Sequence, residues 1–193
     1  PRGLELQAPG ARGTQYRLHL CMELVPLSVV AITVTDKRPG ESLRHFPGGP
    51  GDVAVADRGS GHPAPLVQTV QPGAEVLVRL NAHNVPVTQP GGSPLDWAAA
   101  VGQQAPPTVC TLPVQLAVAG AAPLPLGVHA YRLPEAQAAQ ARRLGRQHSR
   151  KGGHQPTQPS VRLAGWVLVV TSLPPTRLPG PTALALYRVR GQI

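Results

Sequence analysis

Asp57 is the residue of this sequence best placed to do chemistry. It follows the short apolar run Val53–Ala56, which is bounded by glycines and predicts a buried strand. In open α/β sheets, ligands and catalytic groups collect at the carboxyl ends of strands. A carboxylate there suits a divalent cation, which prefers oxygen ligands. Asp is also a common cap of turns and helices, so the sequence leaves both roles open for Asp57.

A second candidate is a run of basic residues in a predicted helix that starts at Pro134. Proline suits the first helical turn, and Glu135 is favourable at the positive end of the helix dipole. The cations of this run are Arg142, Arg143, Arg146, Arg150 and Lys151. Such a run can bind DNA phosphates through sequence-independent contacts. A solvated helix face without a partner is the alternative, and the run alone does not separate the two.

The third candidate is the last predicted helix, which opens at Pro181-Thr182 and runs to Ile193. Tyr187 and Arg190 are three residues apart in it and therefore share a face. The seven histidines show no metal-ligand spacing, and no phosphate-binding glycine loop or nucleophile elbow is present in the sequence.

The composition favours a nucleic-acid partner. The 193 residues suffice for one medium domain, and Lys and Arg exceed Asp and Glu by nine. A polyanion is the expected partner of such a chain, with nucleic acid first and a membrane surface second. No apolar run is long enough to span a bilayer and no leader opens the chain, so we expect no membrane association. Cys21 and Cys110 suit buried apolar positions, which favours a reducing, cytoplasmic setting.

The elements that position these residues are short, as 24 prolines and 21 glycines require. Alternating patterns predict an antiparallel meander of strands at 4–6, 16–24 and 29–35. Short helices are predicted at 41–46 and 64–70, and a strand at 76–80. The stretch 81–107 is irregular, and 108–119 and 128–133 predict strands of an inserted sheet. A polar linker at 152–160 and a strand at 163–171 precede the last helix.

The last helix also carries a resemblance. The helix resembles the signature of the insertion-sequence-four family of bacterial DDE transposases, which is a Tyr, two residues, an Arg, three residues and then a Glu. Tyr187 and Arg190 match the Tyr and the Arg of this signature. The chain stops one residue before that Glu. The similarity extends over nearly the whole chain. Ala56-Asp57-Arg58-Gly59 resembles the segment of the family's second catalytic aspartate, and Leu163-Ala164-Gly165-Trp166 resembles the strand before its last helix.

The resemblance implies an α/β fold, with a ribonuclease-H-like mixed sheet and a β-rich insertion between the second and third acidic positions. It divides the chain into a first core part at 1–80, an insertion with a basic helix at 81–160, and a truncated last strand and helix at 161–193. It further implies two-metal phosphoryl transfer with Mg²⁺ or Mn²⁺ held by three carboxylates. Asp57 would be the shared metal ligand, and Tyr187 and Arg190 would contact DNA phosphate near the scissile bond. The implied partner is DNA at insertion-sequence ends in the bacterial cytoplasm, with a homodimer possible on DNA.

Some positions depart from the family pattern. Arg2 stands where the family has its first aspartate, and Glu5 has the opposite strand parity. Gly191 replaces a bulky aromatic residue inside the last helix, at a cost of roughly 1 kcal/mol relative to Ala. Because the chain begins with Pro1, we expect a fragment of a DDE transposase. Because Asp57 is the one acid of the three that this sequence matches, we expect the fragment to be decayed and without catalytic activity. The alternatives are a basic DNA-binding remnant and a non-functional translation product.

Overall fold

The computed structural model describes residues 16–36, 40–82, 85–102, 108–153 and 155–190. The predicted strand at 4–6, with Arg2 and Glu5, lies outside this part, as does Gly191. The elements in chain order are β1 (Tyr16–Leu24), β2 (Leu27–Asp36), a 3-10 helix (Leu43–His45), β3 (Val53–Ala56), α1 (Pro63–Val70), β4 (Glu75–Arg79), β5 (Val87–Thr88), α2 (Trp97–Val101), β6 (Val109–Leu116), β7 (Leu124–Arg132), α3 (Glu135–Lys151), α4 (Gln158–Leu163), β8 (Trp166–Thr171) and α5 (Gly180–Arg190).

Strands β1 and β2 form a separate antiparallel hairpin. Leu18 pairs with Val34 and Leu20 with Ile32, and this apolar face is exposed. The other face turns His19 toward the 3-10 helix, where its ring lies 4.1 Å from that of His45. The hairpin confirms the second and third strands of the predicted meander, because alternation is a local signal that survives in a two-stranded ribbon.

The other six strands form one mixed sheet in the order β3-β4-β8-β7-β6-β5. β3 and β4 are parallel and joined by α1, whereas every other neighbouring pair is antiparallel. A right-handed crossover through a helix is the usual way to join two parallel strands. The predicted α/β class with a mixed sheet is therefore confirmed.

Two apolar clusters cover the two faces of this sheet. On one face, Leu66 and Val67 of α1 belong to the same buried cluster as Val76, Val78 and other strand residues. On the opposite face, Leu77 and Val169 pack with Leu178, Ala183 and Leu184, the last two from α5. Alternation along β4 sends Val76 and Val78 one way and Leu77 the other. Helix α5 is thereby fixed on the face opposite to α1.

Several strand ends meet at one edge of the sheet. Because β8 is antiparallel to β4 and β7 is antiparallel to β8, β8 starts where β3, β4 and β7 end. Asp57 directly follows β3, and Arg79 ends β4. Arg132 pairs with Trp166 three positions beyond the Arg79 level, about 10 Å farther along the strands. Asp57, the candidate catalytic residue, and Arg79 therefore lie at the same edge of the sheet.

Two sequence-based predictions are wrong. The strands predicted at 108–119 and 128–133 do not form an inserted sheet of their own, since β6 and β7 belong to the main sheet and β7 pairs with β8. The strand predicted at 163–171 begins only at Trp166, and α4 takes up the end of the predicted linker. Thr157 explains α4, because its side chain accepts a hydrogen bond from the Ser160 backbone N–H and caps the helix. The division at residues 80 and 160 stays a prediction.

The helices described here are all too short or too polar to cross a membrane.

Candidate functional site

Asp57 lies at the carboxyl end of β3, as the sequence predicted. Its Oδ1 accepts a hydrogen bond of 3.0 Å from the Gly59 backbone N–H. This bond closes an Asx turn, so Asp57 does stabilise a turn. It does not cap α1, which begins at Pro63 after His62. The turn orients the carboxylate at the edge where strand ends meet and leaves its second oxygen outside this bond.

Glu41 brings a second carboxylate to the same place. A Cβ built on Gly59 would collide with Glu41 Oε2 and would lie 3.3 Å from Asp57 Oδ1. Both carboxylates therefore lie close to the position that a Gly59 Cβ would take. Glu41 was not a candidate from the sequence, because it lies 16 positions before Asp57 and no motif links the two.

The donor set at this position is only partly that of a magnesium site. Carboxylate oxygens are the donors that Mg²⁺ prefers. However, no group of three or more His, Cys, Asp or Glu that could hold a metal occurs within the described ranges. The three carboxylates of a two-metal site are therefore not assembled by this part of the chain, and we derive no reaction step through a metal.

Helix α5 lies near the Asp57 strand. Tyr187 is half-buried, and it packs against the same apolar cluster as Val55 of β3. The neighbouring Arg188 guanidinium lies 5.7 Å from the ring centroid of Tyr131. Arg190 is the last residue of α5, and its side chain lies outside the described part of the structure. The body of Tyr187 thus has a packing role, and α5 ends in a pair of arginines.

Helix α3 exposes most of the predicted basic run. From position 143 onward nearly every residue is exposed, and the buried residue of α3 is Ala138 near its start. At 100° per residue, Arg142, Arg146, Arg150 and Arg143 fall within a stripe about 100° wide, and Lys151 lies about 80° beyond it. We call the exposed cations of this helix the α3 stripe: Arg143, Arg146, Arg150 and Lys151. Helix α3 projects the stripe into solvent.

Arg142 is separated from the α3 stripe by its contacts. Its guanidinium is half-buried and forms an ion pair with Glu135, which lies seven residues, or about two helical turns, earlier. It also lines a cavity of about 380 Å³ between α2, α3 and α4. Arg132 and Arg162 line the same cavity, as do both tryptophans of the chain, Trp97 and Trp166.

This cavity is the part of the site that the sequence analysis missed. The Arg132 guanidinium lies 6.0 Å from the ring centroid of Trp166, within cation–π range. Guanidinium groups bind phosphate oxygens and indole rings stack on planar groups, a combination common in proteins that bind nucleic acids. The signal in the sequence was weak, because the five residues come from five different elements.

Two of the buried polar side chains are histidines, His19 and His129. His129 lies in the centre of β7 with no exposed surface, and its Nδ1 is 2.9 Å from Thr111 Oγ1. Burial lowers the pKa of His129, an effect that the nearby Leu178 backbone partly offsets. Burial also lowers the pKa of His19, with further contributions from His45 and Arg17. Both rings are therefore neutral at pH 7.

Comparison with known proteins points to mobile genetic elements. The chain is similar to the transposase of insertion sequence element IS421 of Escherichia coli and to the InsL proteins of elements IS186A and IS186B of Escherichia coli strain K12. Each is 26% identical over 197 aligned residues, which cover 99% of this chain. The alignment covers 53% of each relative, so the chain spans about half their length. No family model and no solved structure matches the chain.

Proposed function

We propose that this chain is part of a DDE transposase of the insertion-sequence-four family, whose reaction is metal-dependent DNA cleavage and strand transfer. The observation that supports this most is the similarity to insertion-sequence transposases along nearly the whole chain. The position of Asp57 at the end of β3 is consistent with it, because ligands of α/β sheets bind at the carboxyl ends of strands. We assign Asp57 the role of the family's second acid.

The proposed partner is the DNA of insertion-sequence ends. The α3 stripe and a net charge of +9 favour contact with phosphates, and Arg142 adds a cation beside the tryptophan-lined cavity. Tyr187 and Arg190 are proposed to contact phosphate near the scissile bond. We further propose that the protein forms a homodimer on DNA and is located in the cytoplasm, associated with the nucleoid.

The proposed cofactor is Mg²⁺ or Mn²⁺, with Asp57 as a ligand. Asp57 would hold such an ion, which would supply polarisation of the phosphodiester and activation of the attacking oxygen. We further propose that this chain alone does not cut DNA. Glu41 is the carboxylate that the described residues bring beside Asp57, and Arg2 stands at the position of the family's first acid.

A nicking assay tests this proposal. Supercoiled DNA carrying an insertion-sequence end is incubated with the chain at low salt in Mg²⁺ or Mn²⁺. We expect no nicked product above the level of an Asp57→Ala variant. Robust nicking that Asp57→Ala abolishes would contradict the inactivity of this chain while supporting the assignment of Asp57. DNA binding is measured in parallel by fluorescence anisotropy.

The second candidate function is DNA binding without any catalytic role. The exposure of the α3 stripe favours this function. The helix buries little apolar surface and gains little stability from packing, so its exposed cations are better explained by contact with a polyanion than by a role in the core. In that case DNA affinity would fall steeply with salt and would be indifferent to Asp57→Asn. Loss of a metal-dependent part of the affinity in Asp57→Asn would favour the transposase site instead.

A further inference from the structure

The hairpin of β1 and β2 carries an apolar surface that has no role in the proposal above. Alternation places every second residue of β1 on one face, and the residues paired with them in β2 share that face. The register shifts where β2 has the extra residue Val30, so Val29 and Ile32 stay on the same side. We call this surface the hairpin face. Its exposed side chains are Tyr16, Leu18, Leu20, Leu27, Val29, Ile32 and Val34.

The hairpin face points away from the rest of the described chain. His19 belongs to the opposite face, where its ring centroid lies 4.1 Å from that of His45 in the 3-10 helix. His19 is buried by this contact, whereas Leu20 is half-exposed and Leu18 is 56% exposed. A two-stranded hairpin is marginally stable by itself and is normally stabilised by packing its apolar face. The described residues therefore cover one face of the hairpin and leave the apolar one open.

The area of the hairpin face is sufficient for a specific interface. A half-exposed Leu, Ile or Val leaves on the order of 70 Å² of apolar surface accessible. The seven exposed side chains therefore present roughly 500 Å², toward the upper end of what the largest apolar patch of a monomer offers. Two such faces in contact would bury roughly 1,000 Å² in total, the area that a specific protein–protein interface needs.

The distribution of charge favours a second copy of this chain as the occupant. Each copy carries a net charge of +9, so two copies repel one another unless they meet through a surface without cations. Arg17 is the one Lys or Arg of the two strands, and it belongs to the opposite face, as Glu23 does. Asp36 lies at the open end of the hairpin face, and the centre of the face is the uncharged pair Leu20 and Ile32. A two-fold contact requires such a centre, because a charge near the axis meets its own copy.

A lipid surface is the other partner that an apolar patch of this size can suit. Binding to the surface of an anionic bilayer combines apolar side chains with Lys or Arg beside them. The hairpin face has the carboxylate of Asp36 at its margin instead, and Arg17 is on the other side of the hairpin. This arrangement disfavours lipid as the occupant.

We propose that two copies of this chain associate through their hairpin faces, as two stacked two-stranded sheets related by a two-fold axis near Leu20 and Ile32. Sheets that pack face to face lie about 10 Å apart and interdigitate their side chains. The interface forms without DNA, so the inference goes beyond the proposed function and gives its homodimer a defined contact. Because the contact is apolar, salt strengthens it by screening the repulsion between the copies, whereas salt weakens DNA binding.

Analytical ultracentrifugation of the whole chain without DNA tests this proposal. We expect a monomer–dimer equilibrium whose dimer fraction rises with protein concentration and with NaCl. Leu18→Glu should weaken the association at least ten-fold, because the contact would then bury unpaired charges. Leu144→Glu is the matched control, since Leu144 on α3 is also 56% exposed, and it should not weaken the association.

Opposite charges at the centre of the interface give a second measurement. Leu20→Glu and Leu20→Lys should each be monomeric. An equimolar mixture of the two should associate more tightly than either variant alone, because opposite charges then meet across the two-fold axis. A mixture that associates no better than its components would contradict the face-to-face arrangement.

Four other results would overturn the proposed interface. The first is a parent chain that stays monomeric at every concentration, and the second is an association that Leu18→Glu leaves unchanged or that falls as salt rises. The third is a loss of thermal stability in Leu18→Glu at concentrations where the parent is monomeric, because the face would then be covered within one chain. The fourth is cosedimentation of a monomeric parent with anionic phospholipid vesicles that Leu18→Glu abolishes, which would make lipid the occupant.

The outcomes also separate this interface from the proposed binding of DNA. If the chain binds DNA by anisotropy but stays monomeric without it, the interface is wrong and the DNA proposal stands. If the chain dimerises as expected but binds no DNA at low salt, the proposed function fails and the interface stands.

Discussion

At the scale of single residues, Gly59 determines how close the Asp57 and Glu41 carboxylates can come. A Cβ at this position would overlap Glu41 Oε2, so a larger residue would displace the exposed Glu41 side chain. Two carboxylates near one another raise the local negative potential and attract a cation. The surroundings of Asp57 therefore include a carboxylate that no sequence motif specifies.

We predict that Gly59→Ala lowers the free energy of unfolding by at most about 1 kcal/mol, because the exposed Glu41 side chain can rotate away to admit the methyl group. Glu41→Ala in the same chain should remove most of that loss, since the two changes share one contact. Gly40→Ala is the matched control, because a Cβ there meets nothing within 4 Å. Urea unfolding of the four variants measures the cycle. Equal losses for Gly59→Ala with and without Glu41 would contradict the contact.

His129 gives a prediction on pH. Its folded-state pKa is below the ordinary value of 6.5 because of burial, so the unfolded chain takes up a proton first as the pH falls. Stability is then fully present above pH 6.5 and is lost below it, toward the folded-state pKa. Urea unfolding between pH 8 and pH 5 should show this loss. His129→Leu should reduce the loss, whereas His148→Gln on exposed α3 should not; equal pH profiles for all three chains would contradict the argument.

At the scale of elements, α5 and α3 differ in how they are held. Helix α5 is fixed by close packing, since a Cβ on Gly180 would lie 2.9 Å from Val109 Cγ1 and 3.2 Å from His129 Nδ1. Helix α3 has almost no such contacts beyond its first turns. The contribution of α5 to stability is therefore sensitive to added side-chain volume, whereas that of α3 is sensitive to helix propensity.

Two alanine substitutions test this difference. Gly180→Ala should destabilise the chain by roughly 1–3 kcal/mol through overpacking against β6 and β7. Gly145→Ala lies in the middle of α3 with nothing within 4 Å, and should stabilise by up to about 1 kcal/mol while helicity rises. Circular dichroism and urea unfolding measure both. A stabilising Gly180→Ala would show that α5 is not closely packed on this face.

The elements also show what sequence can and cannot predict here. β1, β2 and β3 follow from alternation or short apolar runs within each strand. α3 follows from Pro134 and Glu135 at its start, and α5 from Pro181 in its first turn. The pairing of β7 with β8 joins segments about 40 positions apart, and neither strand carries a local mark of its partner. The same is true of Glu41, which the fold brings to Asp57. Single strands and helices can therefore be predicted from local sequence patterns. Which strands pair depends on the relative stability of all possible pairings, which local patterns do not show.

At the scale of the whole molecule, charge and apolar surface are unevenly distributed. The chain carries nine excess positive charges, and α3 presents four of its cations on a projecting helix. The hairpin, in contrast, exposes an apolar face that includes Leu18, Leu20 and Ile32. Long-range attraction between the chain and a polyanion is therefore expected to be strong at low salt and to weaken as salt screens it.

The DNA affinity of the chain as a function of salt tests the central claim most directly. For the parent chain we predict a linear fall of log affinity with log salt, as expected when phosphate contacts release counterions. Replacing Arg143, Arg146 and Arg150 by Gln should reduce that slope by roughly two to three and the low-salt affinity at least ten-fold. Gln140→Ala with Gln147→Ala on the same helix is the control and should leave both unchanged. A parent chain whose affinity does not depend on salt, or an arginine variant that binds as the parent does, would contradict the account.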